Sequence, residues 1–347
     1  MRTATLAQQN QRLTRQRNWL ARQNLAQRRY TYANFAFRNN ARIFGRRRDR
    51  TVFAAFAIGA AVGAAVAGSY YVYYNDDPRL DWRSRDYYVD ELGNGWTRSV
   101  VDRADGTRVV TIRDANGFIV RRYRVYDGDR YTLLYDNRPR WWDDQDLYVD
   151  VAPVRYSGPP ERYVVEPSRA EPDDVYRAMT ADPVAEIDRT YTLNQILMNA
   201  NLRNYMPRVD LDSINFASGS AEIPEGELEK LEVVGAAMEQ AIKDDKDEIY
   251  LIEGHTDRVG DEVDNMALSD ERAAAVAKAL TEYFDIPPEN LVTQGYGEEF
   301  PKVDTDAAER RNRRVALRRI TPLLDRSSND LALDENGNEI IEDEAGQ

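Results

Sequence analysis

The chain has 347 residues, 31% of them charged, with 47 Lys and Arg against 60 Asp and Glu, for a net charge of −13. That length allows about two domains with tails. The absence of cysteine excludes disulfide frameworks, thiolate metal sites, Cys nucleophiles and an acylated lipoprotein cysteine, and the single histidine, His255, excludes multi-histidine metal centres.

The charge is sharply divided along the chain. Residues 1–50 carry thirteen arginines and one aspartate, residues 51–74 carry no charge, and the remainder carries 34 basic and 59 acidic groups. This order of basic arm, uncharged span and acidic body is that of a membrane topology rather than of one globule. In the arm, Leu6, Leu13 and Leu20 form a thin helical stripe that cannot bury a core alone. A solvated cytoplasmic arm is the plain reading and contact with anionic lipid the next. Nucleic-acid binding is not expected, because basic charge alone is unspecific.

Residues 51–74, TVFAAFAIGAAVGAAVAGSYYVYY, are 24 uncharged residues, and about 20 suffice to cross a bilayer as a helix. Arg46, Arg47, Arg48 and Arg50 precede the segment, and Tyr70, Tyr71, Tyr73 and Tyr74 close it as an aromatic belt. The expectation is a transmembrane helix with the basic arm inside and residues 75–347 outside. Gly59 and Gly63 offer a small-xxx-small face for a homo-oligomer. Ala65-Val66-Ala67 resembles a signal-peptidase site and keeps open a cleaved, outer-membrane-associated form.

Over residues 75–136, glycines recur every eleven residues at Gly95, Gly106, Gly117 and Gly128, each after Asn or Asp. Such dipeptides favour tight hairpin turns, and the segments between them are rich in β-branched and aromatic residues, which predicts a β-meander. Arg121, Arg122 and Arg124 read as the wet side of a strand, with an anion site as the alternative. Residues 137–190 hold Pro139, Pro153, Pro159, Pro160, Pro167, Pro172 and Pro183 among many acids, the pattern of an extended linker. Residues 323–347 are acidic with few apolar groups and read as a disordered tail.

Residues 191–322 carry the strongest globular pattern. LDSINFASGSAEI starts as a strand, and Pro224 opens a helix whose Leu228, Leu231, Val234, Met238 and Ile242 keep helical spacing. EIYLIEG, LVTQGYG and RRVALRRI read as strands, and LSDERAAAVAKALTEYF as a helix capped by Ser269. The fold class is α+β: a small sandwich of a mixed sheet with helices on one face, preceded by the transmembrane helix and the meander. Asp257 falls at the carboxyl end of a strand and Arg272 on the first turn of the following helix, so both can face one pocket. A carboxylate and a guanidinium held close without quenching each other suit a zwitterionic ligand; a structural salt bridge is the alternative. Glu253, His255 and Asp257 alternate on one strand, but one His with two carboxylates is the wrong proportion for the usual iron triad. His255 is expected to be a packed, hydrogen-bonded strand residue, and no metal or cofactor is expected.

Gly254-His255-Thr256-Asp257, then Gly260, Asn265, Leu268, Ser269, Arg272 and Ala273, and Asn312-Arg313-Arg314-Val315 together resemble the OmpA-like peptidoglycan-binding domain. The upstream INFASGSAEI is similar to that family's first strand, and the eight-stranded outer-membrane barrel of OmpA itself is missing. The resemblance covers about the last third of the chain. It implies an OmpA-like α/β sandwich whose ligand is the meso-diaminopimelate of uncrosslinked stem peptide. Asp257 would take its ammonium and Arg272 its carboxylate, Thr256 and Asn265 would shape the pocket, and Arg313 would stand at the rim. The implied protein is a non-enzymatic envelope component of a Gram-negative bacterium with its C-terminal domain in the periplasm, an inner-membrane anchor favoured over an outer-membrane location. A flagellar-stator-like subunit is disfavoured because the span lacks the carboxylate that a proton path needs. A hydrolase is disfavoured because no nucleophile elbow or oriented base is present.

Overall fold

The computed structural model of the chain describes residues 42–43, 72–73 and 76–326, apart from 93–94, 114–118, 127–129, 138–148, 157–159, 212–213, 215, 218 and 225. The basic arm, most of the expected membrane segment with Gly59 and Gly63, and most of the acidic tail therefore lie outside the described residues. Among the described residues no helix is long and apolar enough to cross a membrane. Two short strands, β1 (Arg42–Ile43) upstream of the uncharged segment and β2 (Val72–Tyr73) within its last residues, pair antiparallel.

A short helix α1 (Asp77–Leu80) leads into the meander: β3 (Asp86–Leu92), β4 (Trp96–Asp102), β5 (Arg108–Arg113), β6 (Ile119–Val125) and β7 (Tyr131–Asp136). The five strands are hydrogen-bonded in chain order and all antiparallel. Gly95 and Gly106 take φ of 78° and 84° between strands, the left-handed backbone that the Asn-Gly and Asp-Gly signals require. Val100, Val110, Ile112, Tyr123, Val125 and Leu133 make one apolar face.

The other face of the meander overturns an expectation. Arg121, Arg122 and Arg124 are 1%, 0% and 3% exposed, not on a wet side. Arg122 and Arg113 grip the Asp76 carboxylate at 2.8 and 2.5 Å. Arg124 reaches Asp247 at 3.1 Å and Glu289 at 3.3 Å, and Arg103 meets Glu289 at 2.5 Å. Sequence alternation marks which residues share a face but not what covers it. Here the Asp76 loop before α1 covers Arg122, and Arg121 pairs with Asp136 at 3.3 Å inside the meander. The 247–290 loops of the C-terminal domain take Arg124 and Arg103, which form the joint between the two units.

The C-terminal sheet runs β11 (Leu291–Gly295), β10 (Tyr250–Gly254), β12 (Val315–Arg319), β9 (Arg208–Asp210) and β8 (Val164–Val165). It is mixed: β10 runs parallel to β11 and antiparallel to β12. On one face lie α2 (Pro172–Thr180), α5 (Glu232–Asp244) and α6 (Glu262–Phe284), over a core that includes Val234, Met238, Ile252, Leu280 and Leu317. The other face is also partly covered. Beside Leu251 and Ile320 pack α3 (Leu193–Met198) and α4 (Ala200–Arg203), with Leu134 and Tyr135 of the meander.

Three local expectations need correcting. The stretch 160–180 does not run as an extended linker: β8 joins the sheet edge and α2 seals the core with Val175 and Met179. Its proline signal was ambiguous, because Pro172 occupies the first turn of α2, where the missing N–H costs nothing. The strand expected at LDSINFASGSAEI is displaced to Arg208–Asp210, and Leu211, Ile214 and Phe216 enter the core from irregular chain. Pro224 does not open the next helix; a 3-10 turn at Leu228–Leu231 precedes α5. The predicted core residues Leu228, Leu231, Val234, Met238 and Ile242 are all buried.

Candidate functional site

Asp257 follows β10 directly, and α6 passes very close over the strand ends. A Cβ on Gly254 would lie 1.7 Å from the Ser269 carbonyl oxygen, and one on Gly295 would lie 2.5 Å from Ser269 Oγ. Only glycine at both strand ends lets the helix settle there. Ser269 is not an N-cap. It sits inside α6, donating from Oγ to the Met266 carbonyl at 2.6 Å and accepting from the Gly297 N–H at 2.8 Å. The helix begins at Glu262, after Gly260 turns the chain at a φ of 111°, and Asp261 Oδ1 accepts weakly from the Asp264 N–H at 3.4 Å. The run EVDNMAL carries the helix upstream, so Arg272 lies in its third turn rather than its first.

Arg272 is fully buried. Its Nε donates to the Ser220 carbonyl at 3.0 Å, Nη1 to the His255 carbonyl at 3.3 Å and Nη2 to the Ala217 carbonyl at 3.2 Å. The Phe216 ring lies 5.1 Å from the guanidinium carbon. Three of the five guanidinium donors are thus held by main chain, which fixes the plane and leaves two N–H bonds without a partner among the described residues. Burial, and secondarily the positive charge of Arg313, lower the Arg272 pKa to about 10 while Asp257 and Glu271 oppose the shift. Arg272 remains a cation at neutral pH.

Asp257 pairs with Arg313, not with Arg272. Its Oδ2 accepts from Arg313 Nη1 at 2.6 Å and from the Glu309 N–H at 3.2 Å, and Oδ1 has no partner among the described residues. The simple Asp257–Arg272 salt bridge is therefore not what forms. Arg313 alone bonds the carboxylate, the Arg272 charge lies near it, and Oδ1 keeps no hydrogen-bond partner among the described residues. Beside them, burial raises Glu271 to about 7, against the pull of Arg272. Asp270 is pushed well above the usual carboxylate range by burial, with one oxygen accepting from the Gly295 N–H at 2.7 Å.

Thr256 and Asn265 do not touch Asp257 or Arg272. Both are tied to the following turn, the Thr256 N–H to the Gly297 carbonyl at 2.9 Å and Asn265 Nδ2 to Glu298 at 2.8 Å. Thr256 Oγ1 is buried without a partner. Asn312 fixes the loop that presents Arg313, exchanging two hydrogen bonds of 2.8 Å with the Val303 main chain. Of the five residues expected at the site, the structure pairs Asp257 with Arg313, keeps Arg272 within reach of their charges, and ties Thr256 and Asn265 to the 297–298 turn instead. Sequence reasoning missed Phe216 and the Ala217 and Ser220 carbonyls. The small, Gly- and Ser-rich run FASGS was the available signal, since it lets main chain approach a buried group.

His255 is buried, and its ring stacks on Tyr296 with centroids 5.8 Å apart. It is not hydrogen-bonded through its ring: both nitrogens lack a partner, and Glu253 stands 3.9 Å away, too far for a hydrogen bond. Among the described residues no group of three or more His, Asp or Glu is placed to hold a metal.

This geometry lies within a recognised sequence family, for residues 215–314 match the OmpA family. Residues 215–314 form an OmpA family domain. The chain is 42% identical over 73 residues to a putative lipoprotein YfiB of Escherichia coli strain K12, covering 20% of this chain and 46% of that protein. It is 42% identical over 66 residues to outer membrane porin F of Pseudomonas aeruginosa, covering 18% of this chain and 19% of that protein. The chain thus spans less than half the length of these relatives. Among solved structures, the peptidoglycan-associated lipoprotein from Burkholderia pseudomallei is 26% identical, with a TM-score of 0.26, covering 30% of this chain and 86% of that one.

Proposed function

We propose that the protein grips peptidoglycan non-covalently as a cell-envelope component, through the diaminopimelate of uncrosslinked stem peptide. The observation that carries this reading is the incomplete pairing of the Asp257 cluster. Asp257 Oδ1 is unused and faces an ammonium of the ligand, while the two remaining N–H groups of Arg272 meet its carboxylate. Arg313, half-buried at the rim, holds the carboxylate in place and adds a second positive charge for the ligand acid. Thr256 and Asn265 set the pocket wall. The proposed role is binding, since Asp257 is ion-paired with Arg313 and presents charge to a ligand.

Charge-assisted hydrogen bonds contribute about 1.5–3 kcal/mol each, so a single site is weak. Many copies on one membrane facing a polymeric wall gain retention by avidity. The membrane anchor at 51–74, its inner-membrane placement and pairing through Gly59 and Gly63 belong to this proposal on sequence grounds alone. The names of the curated relatives favour a second reading, an outer-membrane-associated form. N-terminal sequencing of the envelope protein separates the two: a start after Ala67 supports the outer-membrane form, and an intact arm supports the anchor. The site itself is tested by co-sedimentation with purified peptidoglycan. Asp257→Asn and Arg272→Lys should each lose retention while near-wild-type folding persists; undiminished retention in both would refute the clamp.

A further inference from the structure

Strand alternation sends Glu253 and His255 to the face of the sheet opposite α5 and α6. There a cavity of about 320 Å³ opens, with Glu253, His255, Arg203, Arg314 and Arg318 in its buried floor and Asn204, Arg208 and Lys302 at its half-exposed rim. The space exceeds by roughly tenfold the 30 Å³ share of one water molecule.

The floor is not electrostatically closed. Glu253 serves two guanidinium groups, Arg203 at 2.8 Å and Arg318 at 3.2 Å. Asp210 serves Arg208 at 2.7 Å, Lys302 at 3.0 Å and Arg314 at 3.9 Å. Glu166 takes Lys302 from outside, and Glu299 stands at the rim. Even with these two, five cations face four carboxylates. The deficit falls on Arg314, which is 4% exposed. Its Nη2 donates to the Phe300 carbonyl at 3.0 Å, but Nε and Nη1 have no hydrogen-bond partner among the described residues. Beside it both ring nitrogens of His255 are unpartnered. A buried cation and a buried imidazole with open polar atoms are costly to leave so, and both line the same cavity.

We infer that this cavity is a second binding site, taking a small oxyanion, a phosphoryl or carboxylate group, between Arg314 and His255. It is distinct from the Asp257 cluster and does not rest on the peptidoglycan reading. Burial, with the Arg314 charge second, lowers the His255 pKa to about 3, so the ring is neutral and offers one N–H donor to the anion. Residue 255 belongs to both sites: its carbonyl holds Arg272 while its ring lines the cavity.

Because His255 is the sole histidine, its imidazole is a built-in reporter. In the full-length protein labelled with 15N-histidine, titration with inorganic phosphate or acetate at constant ionic strength, balanced with chloride, should move the ring resonances saturably. A response to phosphate assigns a phosphoryl group, and a response to acetate alone a carboxylate. Arg314→Gln should weaken the apparent affinity about tenfold or more. Ring resonances that stay fixed in the wild type with both anions, or that drift linearly as with chloride, would overturn the inference without recourse to any variant.

Discussion

Two buried clusters of arginine and carboxylate in this molecule invite comparison. At the joint between the meander and the OmpA family domain, Arg103 and Arg124 meet Glu289 and Asp247, two cations against two anions, with Asn290 taking a further bond from Arg124. At the candidate site, Asp257 is ion-paired with Arg313 only, and Arg272, whose charge Asp257 and Glu271 oppose from nearby, spends its bonds on main-chain carbonyls. Carbonyls satisfy a guanidinium's hydrogen bonds without cancelling its charge. The balanced cluster is thereby suited to holding two units together, and the unbalanced one to holding a charged ligand.

The sharpest way to break this contrast is at Glu289, which is 2% exposed. Burial alone would raise its pKa, but Arg103 and Arg124 draw it below the usual range. Glu289→Gln takes the only carboxylate that Arg103 meets among the described residues and one of two from buried Arg124, and should cost about 3 kcal/mol of stability in urea unfolding. Retention on peptidoglycan below the transition should be untouched. Because the folded pKa is depressed, the joint's contribution is present above the carboxylate's ordinary range and fades as the pH falls through it.

Arg272→Ala should behave differently. Binding should be lost, and stability should drop by about 1–3 kcal/mol, since three buried carbonyls lose a donor. Arg272→Lys is the gentler probe of the bidentate contact.

Much of this site was legible in the sequence, and the reasons for the rest are physical. The apolar spacing of 228–242 and the strands around Leu251, Val292 and Leu317 are patterns that burial enforces, and they fell where expected. So did the Asn-Gly and Asp-Gly turns at Gly95 and Gly106, because few residues accept that backbone. The start of α6 was misplaced because Ser269 looks like a cap. Its hydroxyl is instead used between helix and turn, a tertiary contact that no local pattern carries. The buried arginines of β6 were misread for the same reason: Arg124 finds Asp247 and Glu289 more than a hundred residues on, and Arg122 finds Asp76 outside the strands. The Asp257–Arg313 pair was only half-legible: the motif marks both residues but not which arginine the carboxylate takes.

A smaller effect should separate the protonation states beside the site. The folded state holds Glu271 protonated up to about 7, whereas its ordinary value is 4.5. The folded state therefore binds the proton more tightly, so stability falls as pH rises through that window and is level above it. Glu271→Gln should flatten the dependence and stabilise the protein above pH 7 by about 1 kcal/mol, discounted for its partial exposure. No gain is expected below the ordinary value. Thermal melts across the range would show it.

The smallest effect is expected at Lys246, whose pair with Asp105 also crosses the joint at 2.8 Å but with both side chains about half exposed. Lys246→Ala should change stability by about 0.5 kcal/mol or less. A loss comparable to that of Glu289→Gln would mean that surface charge, rather than the buried pairs, holds the units together.

The central claim is that the unbalanced Asp257 cluster reads both charged ends of diaminopimelate. Calorimetric titration of the protein with stem peptide tests it most directly, comparing a free with an amidated diaminopimelate carboxylate. The account predicts that amidation weakens binding to the wild type about tenfold or more and changes little in Arg272→Lys. Equal affinity of the wild type for the free and amidated peptides would contradict it.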